Sequence, residues 1–150
     1  IDNVFFSFPE PVPTWQRKTL KDILEQNVDE KYYVRDKIRE SRLMRLKDPN
    51  YPKPYISHEN MAGSITPHPY SSCLRAGASA NYILINDERR PTEREMLRLQ
   101  GFPEDFKIVV SYGQIKHQCG NSVAVPVIEA VARQMLFALK TYEESKKMSV

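Results

Sequence analysis

Apolar positions recur at helical spacing in one long stretch of the chain and only in short patches elsewhere. Val127, Ile128, Val131, Met135, Leu139 and Tyr142 share one face of a 3.6-residue period, with Pro126 placed where a first helical turn tolerates it. This spacing predicts a long amphipathic helix from near Pro126 to about Glu144, with the tail "EESKKMSV" frayed. Local chemistry announces a second helix. Thr92 caps its start, Glu95 completes a capping box, Met96, Leu97 and Leu99 supply apolar contacts, and Gly101 with Pro103 ends it. Thr19 and Asp22 repeat the capping pattern ahead of a short helix from about Leu20 to Gln26.

The remaining patterns are weaker. In "RDKIRESRLMRLKDPNYPKP", Arg35, Arg39 and Arg42 would form one basic stripe on a helix, although Ile38, Leu43, Met44 and Leu46 form no clean opposite face. That helix must stop by Asp48, because Pro52 and Pro54 follow. Such a stripe suits a phosphate backbone or simply a solvated face. Runs with β-leaning composition occur at Val4 to Phe6, Ser72 to Arg75 and Tyr82 to Ile85, and "KIVVSYG" reads as a strand or extended segment. The small, polar loop "AGASAN" joins the middle two runs; it could approach a ligand closely or be an ordinary exposed hairpin loop. The turn Gly120-Asn121-Ser122 leads into the long helix, an arrangement that suits a ligand contact backed by a docking helix.

Composition narrows this picture. A chain of 150 residues holds one domain, or a small domain with an appendage, and 41% hydrophobic residues can support a core. Eleven Pro against five Gly argue for short, irregular connections. A formal net charge of +3 is compatible with nucleic acid without pointing to it. Two cysteines, Cys73 and Cys119, make neither a disulfide framework nor a metal site. No apolar run approaches the ~20 residues of a membrane span, and the start lacks a signal-peptide pattern. The expectation is a cytoplasmic protein with no metal and no membrane partner.

"RRPTEREMLRLQGFPEDF" followed by "QIKHQCGNSVAVPVIEAVARQ" resembles the last two motifs of DNA (cytosine-5) methyltransferases, R-x-L-T-x-R-E-x-x-R-x-Q-G-F-P-x-x-F and Y-x-Q-x-G-N-S-V-x-x-x-V. The likeness runs from about Arg89 to Gln134; Pro91 stands where Leu is usual and Cys119 where an aromatic or aliphatic residue is usual. Upstream, "FPEPVPTWQRKTLKDIL" and "EKYYV" are similar to the stretch after the family's eighth motif. "SSCLRAGASANYIL" is similar to its P-T-L-x-A-(Gly-rich)-Y-I-L pattern, with Cys73-Leu74 in place of Thr-Leu and so without the hydroxyl that could bind a phosphate.

The resemblance implies an α+β fold: a small irregular recognition domain with short strands, then a long C-terminal amphipathic helix that would pack on a missing Rossmann-like catalytic domain. Residues 1–18 would connect, 19–88 form a target-recognition domain, and 89–150 belong to the catalytic domain. S-adenosylmethionine would be held by Asn121, Ser122 and Val123, since an amide and a hydroxyl beside Gly120 can bond its amino-acid end. Arg75, Gly77 and Ser79 would lie near the bases of double-stranded DNA, Arg35, Arg39 and Arg42 on its phosphates, and Arg89 would organise the recognition domain. No residue here fills a catalytic role: the family's Pro-Cys nucleophile, E-N-V, Q-x-R-x-R and F-x-G-x-G motifs do not occur, as Cys73 follows Ser72 and Cys119 follows Gln118. The chain thus resembles the C-terminal portion of a bacterial or archaeal restriction-modification enzyme, inactive by itself and completed by the N-terminal portion or a separate subunit. An expressed fragment, a proteolytic remainder and a split-enzyme subunit all fit, and the missing initiator Met favours a fragment. The exposed helix could also self-associate. The alternative is a non-catalytic DNA-binding specificity module acting with a partner chain.

Overall fold

The computed structural model describes residues 5–148. They form two compact units, one of residues 18–122 and one of residues 5–17 with 123–148.

In the larger unit, α1 (Leu20–Ile23) starts as expected, because the Thr19 N–H and hydroxyl both donate to Asp22 Oδ2 at 2.7 Å. It stops short of Gln26: the Glu25 N–H is taken by Glu95 Oε1 at 2.8 Å, a bond from 70 residues away that draws the chain out of the helix. Helix α2 spans Asp36–Leu43. Three antiparallel strands follow, β1 (Ile56–Glu59), β2 (Ile65–His68) and β3 (Ile83–Ile85), in the order β2-β1-β3 with Ile56 opposite both His68 and Ile85. The β1–β2 turn is set by Asn60, whose Oδ1 accepts from the Ala62 and Ser64 N–H groups at 3.0 Å, and by Gly63 at φ +77°. The expected strand at Ser72 to Arg75 has no ladder partner and is irregular; Val4 lies outside the described residues, and Phe5 and Phe6 join no strand.

Helix α3 (Glu93–Gln100) matches its sequence signals: Thr92 Oγ1 accepts the Glu95 N–H at 3.1 Å, and Gly101 closes the helix in the left-handed region at φ +79°. Helix α4 (Tyr112–Asn121) overturns part of the expectation. The extended segment ends at Ser111, whose N–H and hydroxyl both donate to Gln114 Oε1 at 3.0 Å and start a helix there. Gly120 and Asn121 are therefore helical, and only Ser122 of the expected turn lies beyond, as the C-cap. The core joins Leu20, Ile56, Leu74, Tyr82, Ile83, Ile85, Met96, Leu97, Ile115 and Cys119 from every element but α2 and β2. The 88/89 border expected from the sequence falls inside this unit, where the Ile85 N–H donates to Arg89 O at 2.8 Å.

The smaller unit holds a 3-10 turn at Thr14–Gln16 and α5 (Val125–Met148), which runs past the expected end at Glu144. Phe5, Phe6 and Phe8 line an apolar groove of about 680 Å³ with Val131, Met135, Ala138, Leu139 and Tyr142. By length and composition alone the stretch Tyr112–Lys147 is apolar enough to cross a membrane, but its helix is interrupted between Asn121 and Val125. Its surface also carries an ion pair, Arg133 to Glu129 at 2.6 Å.

Candidate functional site

Two buried ionic frames hold the larger unit. In the first, the Arg89 guanidinium grips Glu95 through two bonds of 2.7 Å, and Glu95 also accepts from the Thr92 and Glu25 N–H groups at 2.8 Å. A fork that satisfies both carboxylate oxygens offsets the cost of taking both charges out of water. Arg89 therefore organises the chain around it.

The second frame corrects an expectation. Arg42 is not a phosphate contact: it is 1% exposed. Its guanidinium donates to Asp87 Oδ1 at 2.9 Å, Glu59 Oε2 at 3.0 Å, Ser57 Oγ at 2.8 Å and Asn81 O at 2.9 Å. Asp87, itself fully buried at a positive φ, also accepts from Ser57 Oγ at 2.6 Å and Tyr55 Oη at 3.1 Å. Arg42 thus ties α2 to β1 and to both ends of the segment 81–87. The basic stripe also dissolves locally, because Arg35 caps α2 from outside the helix. Arg35 is exposed, and so is Arg39, which reaches Glu88 at 3.5 Å.

The structure puts Arg75, Gly77 and Ser79 on the exposed side of one loop. Tyr82 Oη accepts the Arg75 N–H at 2.8 Å at the base of that loop. Burial first, and then the Arg75 charge, pull the His58 pKa below its ordinary value. Ser79 lines a polar cleft of about 360 Å³ with Lys37, Ser41, Arg45, Glu59 and Asn81. Neither Lys37 nor Arg45 stands out in the sequence, because their place depends on a loop some forty positions away.

The inner side of the loop meets α4. Lys116 Nζ donates to Ala78 O at 2.5 Å and Ala76 O at 3.3 Å. Gly120 sits one turn on, so close to the loop that a Cβ there would lie 2.7 Å from Ala76 Cα and 2.8 Å from Arg75 C. The glycine is required by this close approach of backbone to backbone, not by a turn. The second motif as quoted carries Tyr where Lys116 stands, and that departure was the one signal in the sequence.

Of the cofactor candidates, Asn121 and Ser122 end α4, while Val123 is 65% exposed in the other unit. Ser122 Oγ donates to Cys119 O at 3.0 Å and keeps lone pairs to accept with. Asn121 Nδ2 lies 3.2 Å from His117 Nδ1, with its amide exposed. A helix C-terminus carries partial negative charge and attracts an ammonium, so an amide, a hydroxyl and this end fit the amino-acid group of S-adenosylmethionine. Cys119 is unsuited to nucleophilic work, being 2% exposed with burial raising its thiol pKa. Cys73 is exposed beside the Leu74 carbonyl.

Known proteins agree with the motif resemblance. The model of a family described as C-5 cytosine-specific DNA methylase matches residues 3–136. Type II methyltransferase M.NgoBI of Neisseria gonorrhoeae is 48% identical over 134 residues, covering 88% of this chain and 41% of that protein. Type II methyltransferase M.HaeII of Haemophilus aegyptius is 42% identical over 142 residues, 93% of this chain and 43% of that one. Among solved structures, an Entamoeba histolytica methyltransferase, EhMeth, aligns with a TM-score of 0.49 at 14% identity, over 91% of this chain and 45% of that one. The chain spans less than half the length of these curated relatives.

Proposed function

The chain belongs to the C-5 cytosine-specific DNA methylase family, and from that premise we propose that it is the part of a restriction-modification cytosine-5 methyltransferase that reads the DNA target and closes the cofactor pocket. The observation that carries this reading is the contact of α4 with the loop 75–80, which makes the candidate DNA loop one body with Asn121 and Ser122 of the candidate cofactor site. Arg75, Gly77 and Ser79 face the major groove, where side chains distinguish base pairs. Arg35 and Arg39 contact phosphates, which position the duplex without reading it.

S-adenosylmethionine, when bound, supplies the methyl group. Asn121 and Ser122 hold its amino-acid end, with Val123 adjoining. The thiolate that attacks the flipped base belongs to the portion of the enzyme that carries a Pro-Cys motif, and the apolar groove of the smaller unit docks there. The protein works on DNA in the cytoplasm of a bacterium or archaeon.

A salt titration of duplex binding tests the DNA assignment. Arg75→Ala should cost about 1–3 kcal/mol on the target sequence and relax specificity. Arg35→Ala should weaken all sequences alike and reduce the salt slope by about one. Unchanged binding by Arg75→Ala at moderate salt would remove it as a reader.

A further inference from the structure

Resting on the reading of residues 75–80 as a DNA loop, we propose that Lys116 is a positioning residue, an ammonium peg that fixes the loop's inner carbonyls and thereby aims its outer side chains. The loop sequence "RAGASAN" offers little to hold itself: the side chains from Ala76 to Ala80 are small, and within it the Ala78 N–H reaches Arg75 O only at 3.4 Å. Lys116 Nζ lies 2.5 Å from Ala78 O, 3.3 Å from Ala76 O and 3.5 Å from Arg75 O. An ammonium has three donors, and three carbonyls converge on it. The Tyr82 ring lies 5.7 Å from the same ammonium, while the Tyr82 hydroxyl holds the Arg75 N–H. Arg75, Gly77 and Ser79 are exposed, whereas Ala76 and Ala78 are half-buried. Holding the carbonyls of 76 and 78 inward therefore sets where 75, 77 and 79 point.

The peg also joins the loop to the other candidate site. Lys116 and Gly120 lie four residues apart on one face of α4, and both meet the loop. Ile115 and Cys119 anchor the adjoining face in the core, and Asn121 and Ser122 follow at once. A shift of the loop must then act on the end of α4, and the reverse.

Lys116→Met keeps the aliphatic stem and removes the donors; Lys116→Arg restores a cation. Amide hydrogen exchange at Arg75, Ala78 and Tyr82, whose N–H groups have acceptors in or beside the loop, and binding of target against non-target duplex form the test. In Lys116→Met, exchange of these amides should accelerate about tenfold, and target discrimination should fall about tenfold with the salt slope unchanged. Lys116→Arg should recover part of both. Gly120→Ala, which drives a Cβ into the loop, should lose discrimination by an independent route. Unchanged exchange would overturn the peg. Faster exchange with intact discrimination would overturn its positioning role, and a uniform loss with a flatter salt slope would make Lys116 a phosphate contact instead. If the wild-type protein bound no duplex, the DNA reading would fail, and the exchange measurement would still decide whether Lys116 holds the loop.

Discussion

The larger unit and helix α5 treat water in opposite ways. In residues 18–122, Arg42, Asp87, Arg89 and Glu95 leave water together, each with several bonded partners. Along α5, Val127, Met135 and Leu139, which share one face, stay more than half exposed. Buried charges hold only inside a frame that is complete, whereas a contiguous apolar face is a surface awaiting a partner. The difference teaches that the larger unit stands on its own contacts, whereas the apolar face of α5 stays open to water.

The most severe way to break the first half of that comparison is to strand one member of a buried pair. Asp87→Ala leaves Arg42 without its partner and should lower unfolding free energy by about 3–5 kcal/mol in urea denaturation. The paired substitutions Leu84→Ala and Leu139→Ala sharpen the contrast directly. Leu84 is fully buried, and its truncation should cost about 2–5 kcal/mol. Leu139→Ala should stay within about 0.5 kcal/mol in the same assay, yet Leu139→Asp should prevent association with a complementary catalytic portion. A stable, unassociating Leu84→Ala together with an unfolded Leu139→Ala would reverse the account.

Smaller effects come from the helix caps. Thr92→Ala removes the acceptor of the Glu95 N–H and should cost about 1 kcal/mol. At acid pH, Asp22 and Glu104 report on their partners. The Thr19 hydroxyl and then its N–H hold Asp22 below its ordinary 3.8, and Arg98 holds Glu104 below 4.5. Both carboxyls are lowered in the folded state, so their stabilisation is present above the ordinary values and is lost as pH falls through the folded ones. Asp22→Asn and Glu104→Gln should therefore lower the melting temperature slightly at neutral pH and flatten the acid limb below about pH 4.5, so that variant and wild-type profiles converge as pH falls.

What the sequence made legible was chemistry confined to neighbours in the chain. Thr92, Glu95 and Gly101 bound α3 correctly because a cap needs only adjacent residues, and the long final helix followed from periodicity, whereas the α+β class came with the motif resemblance. Strands β1 and β2 escaped because "ISHE" and "ITPH" carry no alternation of apolar residues; buried Ser57 is accommodated by Asp87, thirty positions on. Arg42 looked like one more surface cation, since its partners lie 15 to 45 residues away. Gly120 read as a turn because its reason, the Ala76 backbone, is equally remote.

Transfer of a labelled methyl group from S-adenosylmethionine to cytosine-containing duplex DNA tests the central claim most directly. The chain should be inactive alone and should support transfer when mixed with a complementary portion that carries the Pro-Cys and F-x-G-x-G motifs. Transfer by the chain alone would contradict the account and return Cys73 or Cys119 to consideration as the nucleophile; a stable mixture that stays inactive would contradict its role as the completing portion.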